Sequence, residues 1–314
     1  MFPGQGAQYV GMAQDLKQNI PEIAQLFDLA HDILGYDLAT FCFTGPEEKL
    51  NQTEISQPAL FTASVACLTA LRLGKIAPEL SSVIPDTCIG LSLGEYTALY
   101  AAGAVSFEDG LRLVQIRGQS MQYAANLRKG AMVSILGLDQ PTVDKLCQAV
   151  LAGPLNEEND AEPVLVPVNF NCPGQIVVSG TSRACQIAAQ RAEEFGATKA
   201  IPLNVIGSFH TKLMDPAAQK LNQALKQCHF SRPDCQVIAN VDVLPYQNTE
   251  QISQKLILQL TNPVLWQHTI EKLLDDDYER FLEIGPGRVL SGLLKKTARP
   301  RNARPVVINV SGLA

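Results

Sequence analysis

A serine becomes nucleophilic when a tight turn holds its hydroxyl clear of the chain and a base lies within reach. Ser92 sits in Gly90-Leu91-Ser92-Leu93-Gly94, a G-x-S-x-G pentapeptide. An apolar run, Val83-Ile84-Pro85-Asp86-Thr87-Cys88-Ile89, leads into it, and an Ala-rich helical stretch from Glu95 to Ala104 follows. Strand, sharp turn and helix would present the hydroxyl at a helix N-terminus, where negative charge is favoured. The plainer alternative is a helix N-cap serine between spacer glycines.

The base has few candidates, because the chain holds four histidines: His31, His210, His229 and His268. The polar flanks of His31, the Lys/Cys/Phe neighbourhood of His229 and the expected surface helix of His268 read as surface or half-buried sites. His210, in Val205-Ile206-Gly207-Ser208-Phe209-His210-Thr211, falls just past a strand end, where active-site residues of α/β folds gather. It could equally cap its loop. A base also needs a partner that fixes its tautomer. Asp215 is near enough in sequence, and a backbone carbonyl would serve as well. Arg117, among the apolar neighbours of Leu113-Val114-Gln115-Ile116-Arg117-Gly118, either snorkels to the surface or is held for a bound anion, since its planar fork matches a carboxylate. The turn Phe2-Pro3-Gly4-Gln5-Gly6-Ala7-Gln8 could expose backbone N–H groups to an oxyanion, or be a plain strand-to-helix turn.

These residues need elements to position them. Ile23, Leu26, Phe27, Ala30, Ile33 and Leu34 share a helix face, and Pro58 to Leu73 forms a second apolar helix. Ser106 to Asn126 reads as a third, with Ser106 as its cap. From about residue 129 the pattern changes: strand 131–137, helix 140–151, strands 164–170 and 175–179, helix 183–195, strand 198–203. This β-α-β-β-α-β order is ferredoxin-like and looks inserted into a larger α/β unit. The acidic stretch 155–163 is expected to be a solvated surface loop. Later strands are expected at 234–240 and 280–284, with a helix from Val289. The abrupt start makes Phe2 resemble the end of a strand whose earlier residues are missing.

The 314 residues, 46% hydrophobic and 18% charged, can bury one large or two smaller cores. The net charge of −6 argues against nucleic acid as a partner. Cys42, Cys67, Cys88, Cys147, Cys172, Cys185, Cys228 and Cys235 include no C-x-x-C pair, which fits reduced thiols and no structural zinc. Neither a secretory signal nor an apolar run of about 20 residues is visible. A cytoplasmic enzyme is expected, or one in the reducing lumen of an organelle if a transit peptide has been removed.

Taken together, FPGQGAQYVGM (2–12), ISQPALFTASVA (55–66), GLSLGEYTALYAAGAVSFEDGLRLVQIRGQSMQ (90–122), NFNCPGQIVVSG (169–180), GSFHTKLMDPA (207–217), QLTNPVLW (259–266) and EIGPGRVLSGLLKK (283–296) resemble the malonyl-CoA:acyl-carrier-protein transacylases and related acyltransferase domains of fatty-acid and polyketide synthesis. The resemblance implies an α/β-hydrolase-like subdomain, 1–128 and 205–314, carrying an inserted ferredoxin-like subdomain, 129–204. It implies Ser92 as the acylated nucleophile and His210 as general base, oriented by the backbone carbonyl of Gln259. Gln5 and Leu93 would supply the oxyanion N–H groups. Arg117 would pair with the malonyl carboxylate, Gln57 would line the acyl pocket, and Phe209 would leave little room for an α-methyl group. Leu91 stands where many members carry histidine. The implied partners are malonyl-CoA and acyl carrier protein, with no nucleic acid, membrane, metal or cofactor, and a monomer is expected. Because carrier proteins are acidic, docking would use basic residues near the cleft mouth: Arg128, Lys129, Lys199 and Lys212, with Lys295 and Lys296 as further choices. The remaining alternatives are a polyketide acyltransferase and a serine esterase or thioesterase; a hydrolase of neutral esters would have no use for Arg117.

Overall fold

The computed structural model describes residues 1–155, 162–205 and 207–313. Helices and strands mix throughout, as an α/β chain requires. The strands are β1 (Thr87–Cys88), β2 (Gly130–Leu136), β3 (Leu165–Cys172), β4 (Gln175–Thr181), β5 (Lys199–Pro202), β6 (Gln236–Val237), β7 (Arg280–Ile284) and β8 (Val306–Val310). β2 to β5 form an antiparallel sheet in the order β3-β4-β2-β5. The helices Gln140–Leu151 and Ser182–Arg191 join its strands and bury one apolar face each, through Val143, Leu146 and Val150 and through Ala184, Cys185 and Ala188. The expected acidic loop falls for the most part outside the described residues.

The strands that carry the site are parallel and short. β1 pairs with β6, and β7 with β8. Between the two ladders runs the extended start of the chain. Phe2 N–H donates to the Ile89 carbonyl, Leu91 N–H to Phe2, and Ile284 N–H to Met1. The run 83–89 is therefore not one strand. Val83 and Ile84 are exposed, and only Thr87 and Cys88 join a ladder. Likewise 234–240 contributes a ladder of two residues, and β8 was not foreseen.

The helices follow their sequence signals. In Pro21–Leu34 the proline opens the first turn and Gly35 closes the last with φ of 76°, while Ile23, Phe27, Ala30 and Leu34 are buried. Ser106 caps Phe107–Leu127 by accepting from Asp109 N–H at 3.0 Å. Thr53–Arg72 is buried on nearly every side and packs against Phe107–Leu127. Their main apolar core is separate from the one under the four-stranded sheet, and a third gathers around Trp266 and β7. No described helix is long and apolar enough to cross a membrane.

Candidate active site

Ser92 stands at the turn between β1 and the helix Gly94–Ala101, with φ of 51°. A non-glycine residue in that left-handed region costs about 1–3 kcal/mol and persists only where its surroundings over-determine it. Here they do. Ser92 N–H is held by Asn240 Oδ1 at 2.7 Å, and the Ser92 carbonyl by Gln259 Nε2 at 2.9 Å. The two glycines are needed for closeness. A Cβ at Gly90 would lie 1.9 Å from the Gly94 carbonyl group, and one at Gly94 would lie 2.1 Å from Phe2 O. The turn is thus pressed onto the start of the chain, which carries Gln5. The backbone N–H groups of Gln5 and Leu93 donate to no described residue, so both remain available to an oxyanion. The Gln5 side chain turns away to Thr53.

His210 also has a left-handed backbone, with φ of 62°. It is 4% exposed. Its Nε2 lies 3.0 Å from Ser92 Oγ and its Nδ1 lies 2.6 Å from the Gln259 carbonyl. A carbonyl only accepts, so Nδ1 carries the proton and Nε2 accepts from the serine. Burial, reinforced by the Arg117 charge, pushes His210 down to about 4, against the pull of its backbone bonds to Gln259 and Asn262. The imidazole is therefore a neutral base near pH 7. The orienting place belongs to Gln259; Asp215 is exposed at the start of the helix Asp215–Leu225.

Arg117 does not snorkel: it is 1% exposed. Its guanidinium donates to Gln57 Oε1 at 2.8 Å, Ser92 Oγ at 2.9 Å and Gln259 Oε1 at 2.9 Å. Its Cζ stands 5.5 Å from the centre of the Tyr96 ring. Every one of these partners is neutral, and Nε has none. Burial lowers the pKa of the guanidinium, while Tyr96 and Glu95 raise it. A buried cation without a carboxylate in direct contact is costly unless an anion arrives. Gln57 is fully buried and also reaches Met121 Sδ at 3.3 Å.

Sequence reasoning did not find Glu95, Asn240 or Tyr246. Glu95 is buried and accepts from Gln259 Nε2 at 2.6 Å, Asn240 N–H at 3.1 Å and the Tyr246 hydroxyl. Asn240 Nδ2 in turn donates to the Gly90 carbonyl at 2.8 Å. The only signal available was an acidic residue directly after the elbow glycine. Phe209 is buried in the main core, and its ring covers Gly207, whose Cβ would lie 2.6 Å away. His31 and His229 are exposed; His268 is half-buried, edge-on to Phe170.

A cavity of about 460 Å³ opens at His210, lined by Glu162, Val164, Thr211, Lys212 and Pro263 among others. Another of about 340 Å³, beside β1 and β7, is not lined by Ser92, His210, Arg117 or Gln259. Of the basic candidates, Arg128 and Lys212 converge at the first cavity. Lys212 Nζ lies 2.9 Å from the Glu162 carboxylate, and Arg128 donates to the Glu162 backbone. Lys199 is a correction. It pairs with Leu136 at the far end of β2 from Gly130, where Ser208 packs; six residues of strand put it about 20 Å from the mouth. Lys296 bonds to Gln175 at that same far end.

Known proteins resemble this chain over nearly its whole length. The family model described as acyl transferase domain matches residues 1–310. The malonyl CoA-acyl carrier protein transacylase of Bacillus subtilis (strain 168) is 42% identical over 299 residues, 95% of this chain and 90% of that protein. The transacylase of the same name from Escherichia coli (strain K12) is 40% identical over 94% of this chain and 91% of its own. Among solved structures, a malonyl CoA-acyl carrier protein transacylase from Coxiella burnetii superposes with a TM-score of 0.90 at 36% identity, covering 99% of this chain and 93% of that one. A malonyl-transacylase in complex with a type II polyketide synthase acyl-carrier protein gives 0.89 at 41% identity, covering 99% and 94%. The chain belongs to the acyl transferase domain family, among its malonyl-CoA:acyl-carrier-protein transacylases.

Proposed function

We propose that this chain transfers a malonyl group from malonyl-CoA to the phosphopantetheine thiol of acyl carrier protein, in fatty-acid biosynthesis, through an ester on Ser92. One observation carries the choice of acyl group. Arg117 is buried, has only neutral partners and lies 2.9 Å from the attacking oxygen. His210 takes the Ser92 proton as Oγ attacks the thioester carbonyl. The N–H groups of Gln5 and Leu93 receive the oxyanion; losing one such donor costs on the order of 3 kcal/mol. The tetrahedral intermediate collapses, breaking the C–S bond, and His210 returns its proton to the departing thiolate. The carrier thiol then attacks the malonyl ester in reverse, giving ping-pong kinetics. The Gln259 carbonyl holds His210, Gln57 steadies Arg117, and Phe209 bounds the acyl pocket. Neither metal nor cofactor enters these steps.

The finer architecture belongs to the same reading: a hydrolase-like part, 1–128 and 205–314, and a ferredoxin-like insertion, 129–204. The separate apolar cluster under the four-stranded sheet supports it. Eight unbridged thiols fit the cytoplasm or another reducing compartment. A polyketide pathway is the second reading, favoured by the likeness to the malonyl-transacylase solved with a polyketide carrier protein. A neutral-ester hydrolase would leave Arg117 unused.

Brief exposure to malonyl-CoA should add one malonyl mass to the intact protein, and Ser92→Ala should abolish the addition. Labelling that survives in Ser92→Ala would remove the nucleophile from this mechanism. Carrier docking gives a separate expectation. Raising ionic strength should weaken transfer to carrier protein far more than acyl-enzyme formation, because exposed charges are screened over about 8–10 Å. Charge reversal at Arg128 and Lys212 should raise KM for carrier protein and barely move KM for malonyl-CoA; equal insensitivity of both would show that docking is not electrostatic.

A further inference from the structure

Glu95 is the first residue after the elbow glycine, and its side chain is buried at 1% exposure. The groups bonded to its carboxyl are donors: Gln259 Nε2, Asn240 N–H and the Tyr246 hydroxyl. An all-donor environment suits a carboxylate, which only accepts. Its hold extends to the rest of the site through two neighbours. Gln259 has Nε2 committed to Glu95 and the Ser92 carbonyl, so its amide can turn only Oε1 toward Arg117. The backbone of the same residue holds His210 Nδ1. Asn240, with its N–H on Glu95, directs its side chain to Ser92 N–H and the Gly90 carbonyl. One carboxylate thus stands behind nucleophile, base and cation without touching any of them.

Resting on the malonyl-transfer reading above, we propose that Glu95 is a positioning residue of this site. Its carboxylate sets the Gln259 amide so that Arg117 is held at Ser92, ready for a carboxylated acyl group. Its charge also offsets that of Arg117 across the amide. Protonation would turn one accepting oxygen into a donor and leave one of the three surrounding donors without its partner.

The groups that face Glu95 are Tyr246 and Asn240 from the segment after β6, Gln259 from the helix Thr249–Thr261, and Arg117 from the helix Phe107–Leu127. Burial pushes Glu95 up to about 7 against the pull of all four, while Tyr246 is itself held protonated by burial. His210, down at about 4, is already neutral where Glu95 titrates. An acid limb near neutrality in acyl-enzyme formation would therefore report Glu95, with activity lost as pH falls through it.

The test is single-turnover acylation of the full chain by malonyl-CoA and by acetyl-CoA, from about pH 5 to pH 9. Wild type should show the limb near 7 with malonyl-CoA. Glu95→Gln should lower malonyl acylation by roughly 10²-fold, the size of a 1 Å misplacement, lower acetyl acylation less, and erase the limb. Tyr246→Phe removes one donor to the carboxylate and should move the limb up by about one pH unit; it carries the test alone if Glu95→Gln does not fold. The proposal is overturned if folded Glu95→Gln slows both acyl groups equally with the limb in place, or if Tyr246→Phe leaves the limb unmoved. Normal wild-type labelling with either of those results overturns this proposal alone. No labelling of wild type at any pH overturns the transfer reading, and this proposal with it.

Discussion

Arg117→Ala should abolish selectivity for malonyl over acetyl groups. Malonyl transfer should fall on the order of 10²–10⁴-fold, matching the ~3–5 kcal/mol lost when one member of a buried charge pair is removed. Acetyl transfer should hold or rise. In the free protein the guanidinium has given up water for three neutral partners and an orphaned Nε. Glu95 offsets that loss only across the Gln259 amide, whereas a substrate carboxylate can pair with the guanidinium directly. A neutral acyl group gains nothing from the cation and must displace it from Ser92 Oγ. The measurement is kcat/KM for both thioesters in variant and wild type. A fall by the same factor for both would make Arg117 a structural residue and remove the basis of the selectivity.

The second large effect is at the elbow itself. In Gly90→Ala the new methyl would sit 1.9 Å from the Gly94 carbonyl group, and in Gly94→Ala 2.1 Å from Phe2 O. These neighbours are backbone, so no side chain can rotate away. The cost should reach or exceed the upper end of the ~1–3 kcal/mol of ordinary overpacking, lowering Tm by about 5–10 °C. Acylation should fall further than stability suggests, because a displacement of about 1 Å at Ser92 costs roughly 10²-fold. Gly292→Ala is the control: it lies inside the helix Val289–Ala298 with nothing within 4 Å of the added methyl. There the change should stabilise by about 0.5–1 kcal/mol and leave transfer intact. Elbow variants with wild-type Tm and rate would mean that the turn has more slack than its packing implies.

The parts of the site that were legible in the sequence are those written in consecutive residues. The G-x-S-x-G turn, the Ser106 cap and the apolar face of Pro21–Leu34 each declare themselves within a few positions. Glu95, Asn240 and Tyr246 do not. A buried acid and a solvated one look alike in a sequence, and what buries this one comes from segments about 150 residues away. The choice between Asp215 and a carbonyl as the partner of His210 was open for the same reason, since backbone groups leave no trace in residue type. Lys199 was misplaced because strand register decides which end of a sheet a residue occupies, and composition does not fix register. Val83 and Ile84 misled in the opposite sense. They are strand-forming residues on an exposed approach, and the ladder needed only Thr87 and Cys88 beside the first residues of the chain.

Ser92 meets His210, Asn240 and Gln259 across 118, 148 and 167 residues. By contrast, β3 and β4 are joined by a two-residue turn. The entropy of closing a loop must be met before its contacts return anything, and it grows with the length enclosed. The four-stranded sheet can draw on neighbours in the chain, whereas the left-handed serine gains its base and its bonds to Asn240 and Gln259 only when the last third of the chain has docked. Activity regained in a refolding mixture thus counts the molecules that have closed their longest loops, and is blind to those that have only built their local sheet.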